Sequence, residues 1–186
     1  MPFSLGFWAA AGAGGGGAAA YELISTTVAT GSSSEITFSS IPATYKHLQV
    51  RFTAKNNSDS NNYSLYFRMN GDTSSNYTRH ELIGTGSSVV SEGSGNQSSI
   101  AIGLLATNST ANSFTAGVLD LLDYTSATNY KTVRLLTGGS WSISRVLLSS
   151  GLWRSTSAVT SFTIGNGGLV NFANGSRFSL YGIKGA

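Results

Sequence analysis

The sequence predicts an all-β protein: a jelly-roll-like antiparallel β-sandwich over residues 21–186, led by an extended N-terminal arm over residues 1–20. Three observations carry this. Short runs of β-favouring residues alternate apolar and polar, the mark of half-buried strands. Turn signals such as Asn70-Gly71, Gly138-Gly139 and Asn174-Gly175 separate them at short, even spacing. No three-to-four-residue apolar period persists for a helix length with caps. About nine or ten strands at this spacing fit a sandwich or jelly roll.

Residues 22–28 form the first expected strand and 35–38 the second, where Ile36 and Phe38 share a face. Residues 46–54 follow, with Leu48, Val50 and Phe52 inward and Gln49, Arg51 and Thr53 outward. The all-polar run 56–62 reads as a loop. Residues 63–69 place Leu65, Phe67 and Met69 on one face, and Asn70-Gly71 turns the chain into a return strand at 77–83. The Gly/Ser-rich run 84–95 reads as a long loop holding a short strand at Val89 and Val90. Strands are then expected at 98–105, at 113–122 with Phe114, Ala116, Val118 and Asp120 in register, and at 130–136. Gly138-Gly139 reads as a hairpin into 140–148, with Trp153 in the loop beyond Gly151. Residues 158–164 form the penultimate strand. In the last, 176–183, Phe178, Leu180 and Gly182 point one way and Arg177, Ser179, Tyr181 and Ile183 the other. That strand must pair with strands made much earlier, as a central or closing member of its sheet.

The first 20 residues carry no charge. A signal peptide wants a basic start and a stronger apolar middle, and a membrane span wants about 20 strongly apolar residues. Neither feature of a signal peptide is present, and residues 11–17, all glycine and alanine, are too weakly apolar and too flexible to insert in a membrane. The stretch reads instead as a tether behind an apolar head of Phe3, Leu5, Phe7 and Trp8, built to dock on a partner.

At 186 residues the chain is long enough for one domain with a real core. Charged residues make up 10%, against about 25% in an average soluble domain. A polar surface so poor in charge lacks the usual protection against association. Coverage by other subunits is the preferred reading; the other is an extracellular domain with a Ser/Thr-rich face. The 11 Lys and Arg residues are scattered, so no basic footprint for nucleic acid forms. With no cysteine, disulfides and thiolate metal sites are excluded.

The chemistry-bearing residues read as structural. His47 and His80 sit on strand faces beside charged neighbours. Asp120 and Asp123 have the look of a paired-carboxylate site, but leucines surround them, and Asp120 is expected to pair with Arg134. Asp59 is the one acid in its loop, too few for calcium. The glycines at 12–17 lack the Lys-Ser/Thr of a phosphate cradle. No catalytic, cofactor or metal site is assigned. Tyr63, Tyr66, Tyr77, Tyr124, Tyr130, Trp141 and Trp153 could stack on sugars or fill a protein interface; Trp141, Trp153 and Tyr66 are the interface candidates.

Three patches carry a resemblance. They are N-F-A-N-G-S-R-F-S-L-Y-G-I-K at 171–184, the opening M-P-F-S-L-G-F-W-A-A-A-G-A-G-G-G-G with Tyr21-Glu22-Leu23-Ile24 after it, and I-P-A-T-Y-K-H-L-Q-V-R at 41–51. Together they resemble tailed-bacteriophage virion structural proteins. The resemblance implies a capsid decoration, or cement, protein on the virion surface. Such a body is jelly-roll-like, a homotrimer seated at threefold positions, and binds across major capsid protein junctions, with no nucleic-acid or membrane partner. The alternative it leaves is a tail fibre or adhesin domain touching host surface glycans. A secreted glycoside-active enzyme using Asp120 and Asp123 is the weakest reading.

Overall fold

The computed structural model describes residues 20–59, 63–108, 112–139 and 145–185. Twelve strands occur among them: β1 (Tyr21–Val28), β2 (Glu35–Phe38), β3 (His47–Ala54), β4 (Ser64–Met69), β5 (Tyr77–Gly84), β6 (Val89–Gln97), β7 (Ile100–Leu104), β8 (Thr115–Leu121), β9 (Lys131–Gly139), β10 (Arg145–Trp153), β11 (Phe162–Asn166) and β12 (Arg177–Ile183). Every pairing between these strands is antiparallel. They form a large sheet in the order β1-β12-β3-β8-β9-β10-β5-β6 and a small sheet in the order β2-β11-β4-β7. The protein is an all-β, jelly-roll-like sandwich.

The core lies between the sheets, where the alternation sends the apolar side chains. Leu48, Val50 and Phe52 of β3 are buried, as are Leu65, Phe67 and Met69 of β4 and Phe178 and Leu180 of β12. Phe162 packs between Phe38 and Phe67, and Phe178 between Phe52 and Phe172, with ring centroids 5.0–5.7 Å apart. Strand β12 is interior, held between β1 and β3. Two polar residues tie loops to this frame. Buried Lys131 donates to the carbonyls of Ser126, Asn129 and Thr156 at 2.7–3.2 Å; burial pushes its ammonium below the usual lysine range. The Asp72 carboxylate accepts from Asn76, Ser74 and the Trp153 indole at 2.7–3.0 Å. Burial opposes its ionisation, but these bonds prevail and hold its pKa down to about 2.

The fold corrects four sequence expectations. Residues 89–97 are a nine-residue edge strand, not a loop with a short strand. Nearly all of β6 is exposed on both faces, so no apolar alternation marks it; pairing with β5 alone makes it a strand. Residues 140–144 lie outside the described residues; Gly138 and Gly139 belong to β9 rather than to the turn, while β9 and β10 pair antiparallel as the expected hairpin does. Strand β10 runs on through Ser149-Ser150-Gly151 to Trp153. The glycine that looked like a turn is a packing site: a Cβ on Gly151 would overlap the Ile100 side chain of the facing sheet. Lastly, β11 begins at Phe162 rather than 158 and ends in a 3₁₀ turn, Gly167–Leu169, with Gly168 at φ 70°.

Candidate interaction surface

In a strand, successive side chains face opposite ways, so each strand of the large sheet has an outward row. Antiparallel register aligns those rows across strands. One ladder reads Ser179–Arg51–Val118–Leu136–Leu148–Leu82–Ser91 from β12 to β6. Its four central members are apolar and open to solvent: Val118 39%, Leu136 53%, Leu148 54% and Leu82 49% exposed. The next ladder on the same face reads Arg177–Thr53–Ala116–Gly138–Val146–Gly84–Val89. Ala116 and Gly138 give it a low floor, while Val146 and Val89 stand 59% and 72% exposed.

The result is a hollowed apolar band. One open hollow of about 510 Å³ is lined by Arg51, Ala116, Val118, Leu136, Gly138 and Val146, among others. A second, of about 410 Å³, lies over Val118, Leu136 and Leu148 beside Asp120 and Arg134. On the far side of the leucine ladder runs a polar one: Tyr181–Gln49–Asp120–Arg134–Ser150–His80–Gly93. Arg51 Nε donates to Gln49 Oε1 at 2.7 Å, and Gln49 Nε2 donates to Asp120 Oδ1 at 2.8 Å. Arg134 lies 3.6 Å from Asp120, which is the expected pair. The Arg51 guanidinium also covers the rings of Tyr21 and Tyr181, at 5.2 and 4.9 Å. An apolar centre with a polar margin is the anatomy of a protein-binding surface, and isolated exposed leucines elsewhere would not need this account.

The other candidate residues fall elsewhere. Phe3, Leu5, Phe7, Trp8 and Trp141 lie outside the described residues. Trp153 is a correction: it is 2% exposed, stacked on Tyr77 at 6.3 Å and bonded to Asp72, so the core withdraws it from any interface. Tyr77 and Tyr124 are buried too. Tyr66 is on the outer face of the small sheet, its hydroxyl on Glu35 and its ring under Arg68 at 5.0 Å. Asp123 pairs with Lys46 at 2.7 Å and its amide donates to His47 Nδ1 at 3.0 Å; the Lys46 bond lowers the Asp123 pKa despite some desolvation. Asp120 is thus held by the Gln49 amide and the Arg134 guanidinium, and Asp123 by the Lys46 ammonium. Asp59 accepts from Asn108 at 3.1 Å. Among the described residues no three His, Asp or Glu side chains converge to hold a metal ion. A smaller cleft of about 120 Å³ is lined by Arg79, Glu81, Glu92 and Arg145, with Arg79 and Glu81 in direct contact.

Sequence reasoning missed Leu136, Leu148, Leu82 and Val146. A signal was present: Leu135-Leu136 and Leu147-Leu148. A sandwich strand has one inner face, so each adjacent pair must send one leucine outward.

No family model matches the chain, and no curated protein does. A solved structure, the galectin LEC-6 of Caenorhabditis elegans, is similar at a TM-score of 0.36 and 9% identity, over 86% of this chain and 96% of that one.

Proposed function

We propose that this protein is a bacteriophage capsid decoration protein, binding across major capsid protein junctions as a homotrimer on the virion surface. The observation that supports this best is the uncharged, hollowed band on the outer face of the large sheet. It is apolar at its centre and fringed by Arg51, Gln49, Asp120 and Arg134. The sequence resemblance to virion proteins supplies the partner. The role is mechanical: a stiff β body adds buried area across joints that packed DNA strains. Symmetry repeats the contact on each copy, and multivalent seating turns modest contacts into firm attachment. The apolar head of Phe3, Leu5, Phe7 and Trp8 is the second part of the anchor.

The test is a particle-binding assay with Leu136→Asp/Leu148→Asp. The variant should stay folded and lose capsid occupancy, and particles lacking the protein should rupture at lower temperature. Undiminished occupancy and equal robustness would refute the proposal. A copy number in the few, not the hundreds, would favour the tail adhesin reading instead.

A further inference from the structure

We infer that, in the free protein, the N-terminal segment Phe3–Trp8 lies back across the apolar band of its own chain. The inference stands apart from the capsid role, since it concerns the protein before it meets a partner.

The shape of the band suits a narrow occupant. From Val118 on β8 to Leu82 on β5 there are three strand spacings, about 14 Å. With the second ladder the six exposed apolar side chains, Val118, Leu136, Leu148, Leu82, Val146 and Val89, present on the order of 500 Å², below the roughly 800 Å² per partner of a standard interface. A flat second sheet would also leave the hollows of about 510 and 410 Å³ unfilled. Protruding side chains on an extended segment fill them.

The segment has the matching pattern. In F-S-L-G-F-W, apolar Phe3, Leu5 and Phe7 alternate with small Ser4 and Gly6. Extended, the three apolar side chains share one side and span about 14 Å, the run of the leucine ladder. Neither the segment nor the four central ladder residues carry a charge.

Reach and point of entry agree. The chain enters the large sheet at Tyr21, at the outer edge strand β1, and Tyr21 lies under Arg51, which ends the leucine ladder. Leu136 is four strand spacings from β1, about 19 Å. Residues 9–20 supply up to about 40 Å of chain. A tether of this length holds the segment near its own band at about millimolar effective concentration, which favours the same chain over a neighbour. The seat would keep free copies from associating through their bands.

The natural chain has no cysteine, so an engineered pair reports cleanly. In the full chain, Leu5→Cys with Leu136→Cys should oxidise to an intramolecular disulfide at least tenfold faster than Leu5→Cys with Thr37→Cys, which places the thiol on the outer face of the small sheet. Equal rates, or a link only between chains that disappears on dilution, would overturn the inference. In parallel, Phe3→Ser/Leu5→Ser/Phe7→Ser in the full chain should raise binding of an anilinonaphthalene sulfonate dye several-fold with an unchanged far-UV spectrum. Leu136→Asp/Leu148→Asp in that background should cancel the rise. No rise would also overturn it.

Discussion

The two outer faces of the sandwich obey the same alternation and end in opposite states. On the small sheet the outward residues are polar and use one another. Thr37 and Thr163 share a hydrogen bond of 2.8 Å, Tyr66 binds Glu35, and Arg68 lies over the Tyr66 ring while donating to the Ser98 carbonyl at 3.3 Å. Tyr66 lies flat across Gly165, its register partner, and fills the space a side chain would take. On the large sheet the outward centre is apolar, unfilled and open. Folding alone satisfies the first face. The second would gain from being covered, and this difference, rather than strand content, is what the proposed docking rests on.

Two glycines test the contrast with the largest effect. A Cβ on Gly165 would overlap the Tyr66 ring, whereas one on Gly138 would meet only ordinary contacts, 3.5 Å to the Arg145 carbonyl and 3.7 Å to Val146. Gly165→Val should therefore cost about 1–3 kcal/mol through overpacking. Gly138→Val should stay within about 1 kcal/mol or stabilise, because a strand favours valine over glycine. Denaturant midpoints decide it. Equal costs would mean that the large-sheet face is as closely filled as the small one.

The second test acts on the small sheet through pH. Burial, and then the hydrogen bond to Glu35, pushes the Tyr66 phenol from 10.0 up to about 12. A folded-state pKa above the unfolded value means that the folded protein holds the proton more tightly. The associated stability is present below pH 10 and is lost as pH rises from 10 towards 12. Tyr66→Phe should cost about 1 kcal/mol at neutral pH, and the gap between variant and parent should narrow over that alkaline window. A gap that stays constant to pH 12 would show that the phenol does not contribute as placed.

Much of this was legible in the sequence, for physical reasons that differ by strand. Alternation showed β3, β4 and β12 because each has one face in the core; Leu48, Phe67 and Phe178 need no partner strand to be recognised. It failed for β6, which has no buried face, and for Gly151, whose role as a contact with Ile100 belongs to the facing sheet. The Asp120–Arg134 pair was readable because both residues sit on strands with charge to match. The apolar band was not, because it exists only when register aligns Val118, Leu136, Leu148 and Leu82 from four strands. The sequence places Val118 with Ala116 and Asp120 but is silent on which way that face points. Trp153 misled because tryptophan favours interfaces and cores alike.

The smallest expected effect is the most discriminating. Leu136 and Leu148 are half in water, so replacing each by threonine, which suits a strand equally well, removes little buried area. In a chain carrying Phe3→Ser/Leu5→Ser/Phe7→Ser, Leu136→Thr or Leu148→Thr should shift stability by no more than about 0.5 kcal/mol. In the parent chain the same changes should cost measurably more, since they also weaken the seat of the N-terminal segment. The two residues are cross-strand neighbours, so the cycle must be run for each separately before they are combined. A large loss in the Ser background would mean that another copy already covers the band in solution. Identical small losses in both backgrounds would mean that the segment does not touch it, leaving the contrast between the two faces to be resolved only by an external partner.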